Sequence, residues 1–222
     1  MFPIRDSTPA RRFPFINYLI ILTTFFIFFI QLSAPDFEQF IFQYGFVPTR
    51  FDFLNFESYQ YILYSIFMHG GWFHIISNMW FLHIFGDNVE DKMGHFIYLF
   101  FYLLSGFFSV FFQYIFNQTS DIPMIGASGA VSGVAGAYFV LFKQSTIEAL
   151  VPGFFGFLNL VELPAWFFLG YWFFIQIFSG LGSLVTFDIQ QGGVAWFAHI
   201  GGFLFGYYVA KKFLRKTNFF YD

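Results

Sequence analysis

The chain contains no cysteine, which excludes disulfides, thiolate metal sites and a cysteine nucleophile. Charge is also scarce: only 10% of the residues are Asp, Glu, Lys or Arg, against about 25% in a soluble domain. The net charge of -3 singles out no partner. There is no basic patch and no nucleic-acid motif, so nucleic acid is not an expected partner. Repeats and low-complexity stretches are missing too. What fills the chain instead is apolar: 58% of 222 residues are hydrophobic, with 43 phenylalanines. The phenylalanine excess is a matter of composition and carries no functional reading. So much apolar surface has to face a lipid bilayer rather than water.

Six stretches free of Asp, Glu, Lys and Arg are long enough to cross roughly 30 Å of hydrocarbon, which takes about 20 helical residues. They are Phe13–Pro35, Ser58–Gly86, Phe96–Ser120, Ile122–Phe142, Leu163–Phe187 and Ile189–Ala210. A seventh uncharged run, 149–161, is short and broken by Pro152, Gly153, Gly156 and Asn159, so it reads as a loop at the interface. Arg5, Arg11, Arg12, Lys92, Lys143, Lys211, Lys212, Arg215 and Lys216 all fall on one side of six crossings, and only Arg50 on the other. The positive-inside rule makes the basic side cytoplasmic. The expectation is therefore an all-α polytopic membrane protein, a six-transmembrane-helix bundle with both termini cytoplasmic. Its parts are a tail over 1–12, one membrane domain over 13–214 and a tail over 215–222. The outer segment 36–60 mixes acidic residues with aromatics, as a partly embedded loop would. Reading span one as a cleaved signal peptide is weaker, because its apolar run is long for that role.

Polar side chains inside spans are costly and need a reason. In span two, His74 and Asn78 are four residues apart and share a helical face with Phe81 and Phe85. In span six, His199, Gly202 and Gly206 share a face, and the two glycines form a GxxxG that lets another helix approach closely. Span four offers the matching surface in Gly129 and Gly133, after an opening Gly126-Ala127-Ser128-Gly129. Each part has a plain reading when taken singly. A serine among glycines is usually a packing residue, and His74 with Asn78 makes an ordinary structural pair. Together they are a parts list for acyl transfer. Ser128 starts an inward helix, and His199 is about ten residues into another. His199 would take the serine proton. His74, Asn78 and the Ser128 backbone N–H would face the oxyanion from a helix N-terminus. No span holds a carboxylate, so a Ser–His dyad is expected, with an aqueous cavity open to the outside and no metal or cofactor.

The stretches "HGGWFHIISNMWFLHIFGDNVED", "GASGAVSG" and "AHIGGFLFG", in that order and over essentially all six spans, resemble the rhomboid family of intramembrane serine proteases. The resemblance implies Ser128 as nucleophile, His199 as base, and His74 and Asn78 in the oxyanion hole. It implies a gate over about Pro164–Ser179 and a cap over Ser183–Val194. The substrates it implies are single-span transmembrane proteins. Two positions depart from the pattern. Ser132 stands where many relatives have a tyrosine that stacks on the histidine. No Trp-Arg pair occurs in the first outer loop, where Arg50 is a candidate substitute. The expected setting is a bacterial inner or plasma membrane, with the site opening outward and the chain a monomer or weak homo-oligomer. Two rivals remain. One is a catalytically silent relative that binds client helices, the other a histidine-lined transporter. The His69–His74 spacing gives the transporter no shared ligand face, and the charges and inverted repeat of a transporter are missing.

Overall fold

The computed structural model describes residues 1–153, 157–186 and 193–218. Along them run β1 (Phe2–Asp6), α1 (Phe15–Ser33), α2 (Phe37–Tyr44), α3 (Gln60–Phe67), α4 (Trp72–Met93), α5 (His95–Phe116) and α6 (Ser128–Leu141). After α6 come β2 (Thr146–Pro152), β3 (Leu158–Pro164), α7 (Ala165–Thr186) and α8 (Trp196–Asn218). The chain is mostly helical but not all-α, because a three-stranded sheet closes one end.

Among the described residues, three helices are long and apolar enough to cross a membrane: α1, α5 and α7 as far as Leu184. The remaining three of the six expected spans take other forms, because an uncharged run is not the same thing as a helix. The Ser58–Gly86 run breaks into α3 and α4 at a Gly70-Gly71 elbow. The chain then stays helical past Gly86, so Asp87, Glu90, Asp91 and Lys92 lie on the last turns of α4. The Ile122–Phe142 run is loop up to Ser128, and α6 is 14 residues long, about 21 Å at 1.5 Å per residue. α8 begins only at Trp196 and ends among lysines and Arg215.

α6 is the central element. Every residue from Gly129 to Tyr138 is buried, which suits a helix that is apolar all round. It packs most extensively on α8. A Cβ on Gly202 would lie 2.0 Å from the Gly129 carbonyl oxygen, and one on Gly206 1.9 Å from that of Gly133. Contacts rising together along both helices make α6 and α8 parallel. The C-terminal ends of both therefore lie at one end of the bundle.

That same end holds the sheet, whose antiparallel order is β1-β2-β3. Thr146–Pro152 alternates, burying Ile147 and Ala149. The 149–161 run expected as a loop is therefore most of a hairpin, with 154–156 outside the described residues. Glu148 faces Glu162 on β3 and Arg5 on β1. The Arg5 guanidinium donates to the Glu148 carboxylate at 2.6 Å, offsetting the like-charge pair. Residues 1–12 are accordingly stitched down rather than a loose tail. Trp80 Nε1 donates to the Pro3 carbonyl at 2.7 Å. Asp6 accepts from Asn88 Nδ2 at 2.8 Å and from the Tyr138 hydroxyl. The buried Glu90 carboxylate accepts the backbone N–H groups of Ile16 and Asn17 at 2.9 and 2.7 Å. It thereby caps α1, which has no side-chain cap of its own.

Candidate active site

The site is assembled at the other end of the bundle, where the α3–α4 elbow meets the loop leading into α6. Ser65 O accepts the Gly126 N–H at 2.8 Å. His69 Nε2 accepts the Ala127 N–H at 3.3 Å. His69 is itself fixed, since its backbone N–H and C=O pair with the Gln31 amide of α1 at 3.1 and 3.2 Å. Gly126 has φ +124°, and a Cβ there would lie 2.7 Å from His74 Nε2. Glycine is required at this position both for the backbone conformation and for the approach of the imidazole. The same Cβ point is 3.8 Å from Ser128 Oγ, so the His74 ring edge and the serine hydroxyl are near neighbours.

Ser128 is the first residue of α6. The first bond of that helix runs from Val131 N–H to Ala127 O at 2.9 Å, which leaves the N–H groups of 128–130 without intrahelical acceptors. His199 is not ten residues into its helix but in the first turn of α8. Gly129 lies level with Gly202, so Ser128 and His199 sit about 3 Å apart along parallel axes at 1.5 Å per residue. Gln113 Oε1 of α5 accepts the Ala198 N–H at 3.1 Å, sharing it with the Ala195 carbonyl at 3.0 Å at the start of α8. His199 Nδ1 pairs with Gln176 Oε1 of α7 at 2.7 Å. The Trp172 ring lies tilted 5.9 Å from the imidazole, and the Trp196 ring meets it edge-on at 6.2 Å.

Ser128, His199, His74 and Asn78 all line one cavity of about 760 Å³. Among the described residues no hydrogen bond joins Ser128 Oγ to His199, a looseness common in unliganded sites. Asn78 Nδ2 donates to the His74 carbonyl at 2.9 Å. His74 Nδ1 faces the Gly70 N–H at a long 3.4 Å, an arrangement that leaves Nε2 to carry the ring proton.

Residues 55–216 match the Rhomboid domain family. The chain belongs to the rhomboid family. It is similar to Rhomboid-like protein 11, chloroplastic, of Arabidopsis thaliana, at 28% identity over 82% of this chain and 62% of that protein. It is similar to RHOMBOID-like protein 1 of the same plant, at 31% over 70% of this chain and 35% of that one. Presenilin-associated rhomboid-like protein A, mitochondrial, of Danio rerio is 28% identical over 64% of this chain and 34% of its own length. The chain thus spans about a third to three fifths of these curated relatives. With its apolar helices, this rhomboid is a multi-pass membrane protein.

Three neighbours of this rhomboid's cavity lie outside the quoted motifs, Gln113, Trp172 and Gln176, while His69 opens the first motif without a part in the expected chemistry. A signal for the two glutamines exists, since each is an amide in an otherwise apolar span. Ser132, in place of the stacking tyrosine, donates its hydroxyl to the Ser128 carbonyl at 2.6 Å. Arg50 Nη1 donates to the Phe42 carbonyl at 2.8 Å, tying the end of α2 to the outer segment. The expected gate, Pro164–Ser179, covers the start of α7. Of the expected cap, residues 187–192 lie outside the described residues, as do 219–222 of the expected C-terminal tail.

Proposed function

We propose that this rhomboid is an intramembrane serine endopeptidase that cleaves single-span membrane proteins with a Ser128–His199 dyad. One observation carries the reading: hydroxyl, imidazole and both expected oxyanion donors open onto a single cavity at a helix N-terminus. His199 Nε2 takes the Ser128 proton as Oγ attacks the scissile carbonyl carbon. The oxyanion is met by the Ser128 N–H, the second Nδ2 proton of Asn78 and His74 Nε2–H. His199 then protonates the leaving amine. Water from the cavity hydrolyses the acyl-enzyme, with His199 again as base. Helical substrates have their carbonyls paired, so the segment must unwind locally, and helices weakened by Gly or Pro are favoured.

The distribution of Lys and Arg supports six crossings, cytoplasmic termini and a cavity facing the outer side. The relatives named for chloroplasts and mitochondria lend no support of their own to a bacterial inner membrane.

The test is cleavage of a single-span substrate by purified protein in detergent. Activity lost in Ser128→Ala and in His199→Ala, with melting unchanged, is the expected outcome. Cleavage that survives Ser128→Ala overturns the mechanism. A wild type that binds the substrate without cutting it favours the silent, client-binding relative.

A further inference from the structure

We infer that Gln176 of α7 is the positioning residue for His199, holding the proton on Nδ1 so that the Nε2 lone pair serves the cavity. The inference rests on the dyad reading above and adds to it the group that sets the tautomer of the base. Three observations carry it. Gln176 Oε1 lies 2.7 Å from His199 Nδ1, and both side chains are buried. The Gln176 amide cannot turn without loss, because its Nε2 already donates to the Trp172 carbonyl at 3.1 Å. With Nε2 engaged there, the atom facing the imidazole is the acceptor oxygen, and an acceptor opposite Nδ1 requires Nδ1–H. A neutral imidazole protonated on Nδ1 has its lone pair on Nε2, the form a general base needs.

The position usually given to a stacking tyrosine is Ser132, whose hydroxyl is turned back on the Ser128 carbonyl. It therefore gives the imidazole no ring to stack on. Trp172 lies tilted against the imidazole and Trp196 meets it edge-on. Neither has an acceptor to choose between the two nitrogens, since indole only donates. That choice falls to Gln176. Trp172 and Gln176 are four residues apart on one face of α7, so a single helix supplies both the wall and the acceptor. A displacement of α7 from α8 removes the acceptor along with the wall. The competence of the base is thereby linked to where that helix sits.

The experiment uses the full chain in detergent with histidine labelled by ¹⁵N, the His199 signal being assigned by its loss in His199→Gln. Wild type should show His199 protonated on Nδ1. Gln176→Met, close in size but lacking the acceptor, should mix the two tautomers. It should lower kcat roughly ten- to a hundredfold with KM changed less than about twofold. Gln176→Glu, which keeps an acceptor oxygen, should restore the Nδ1–H tautomer and most of kcat. A wild-type His199 protonated on Nε2 overturns the inference whatever the variants do. So does a Met variant that loses kcat with its tautomer intact, or that loses the tautomer and keeps its rate. A wild type that cleaves nothing sinks the protease reading, while the NMR arm still judges the assignment of Gln176.

Discussion

Asn78 gives one Nδ2 proton to the His74 carbonyl at 2.9 Å and keeps the second for the cavity it lines. Under the proposed mechanism its truncation should therefore remove a transition-state contact and leave the nucleophile intact. For Asn78→Ala we expect kcat to fall by about 10²–10³, the cost of one oxyanion donor. Labelling of Ser128 by a serine-directed covalent inhibitor should persist. Undiminished turnover removes Asn78 from the site. His74 and Asn78 were legible in the sequence because i, i+4 spacing puts both on one face of one helix. Gln176 was not, although an amide in an apolar span announces that a partner must exist. The partner sits on another helix, 23 positions away, and nothing local in sequence says which one. The same holds for His69, whose bonds reach back to α1 and forward to the loop before α6.

At the scale of elements, two glycine rows decide how α6 and α8 meet. A Cβ on Gly206 would sit 1.9 Å from a backbone carbonyl oxygen, and no rotamer change relieves a clash with backbone. Gly206→Ala should therefore force the helices apart, costing about 1–3 kcal/mol or more. It should also lower activity, because His199 and Ser128 sit on the two helices being separated. Gly170 on α7 is the contrast. Its added Cβ meets only the Phe139 ring at 3.6 Å, an ordinary contact. Gly170→Ala should leave the melting temperature in detergent unchanged or raise it, by up to about 1 kcal/mol of stability. Equal behaviour of the two variants contradicts the packing argument. The GxxxG rows were readable because spacing alone defines a helical face. The α3–α4 elbow was not, because absence of charge measures lipid compatibility and not helicity, and a Gly-Gly step passes that filter. The hairpin was hidden for another reason: Pro152, Gly153, Gly156 and Asn159 give its turn the composition of a loop, and the alternation of β2 starts before the uncharged run does, at Thr146.

On the scale of the whole molecule, the N-terminal strand ties the chain's start to the α6–α7 hairpin and the middle of α4. Two carboxylates make that tie depend on pH in opposite ways. Burial raises the Asp6 carboxyl above its ordinary range, more than the Tyr138 bond lowers it. Docked Asp6 thus holds a proton that the free segment has lost. Docking weakens as pH rises from the ordinary carboxylate range to the raised value, and is flat above it. Glu148 runs the other way. The Arg5 hydrogen bond lowers its carboxyl below the ordinary range. Its contribution is present above that range and lost as pH falls through the lowered value. Arg5 is exposed and Glu148 only partly covered, so this second effect is small and fades with salt. Protection of the β1 amides against hydrogen exchange should therefore pass through a maximum in mild acid. Asp6→Asn should remove the gain on acidification and leave only the decline at lower pH. Arg5→Ala should flatten the decline and spare the gain. A protection curve without a maximum in wild type, or one unchanged by Asp6→Asn, would mean that the buried carboxylate does not govern how the start of the chain is held.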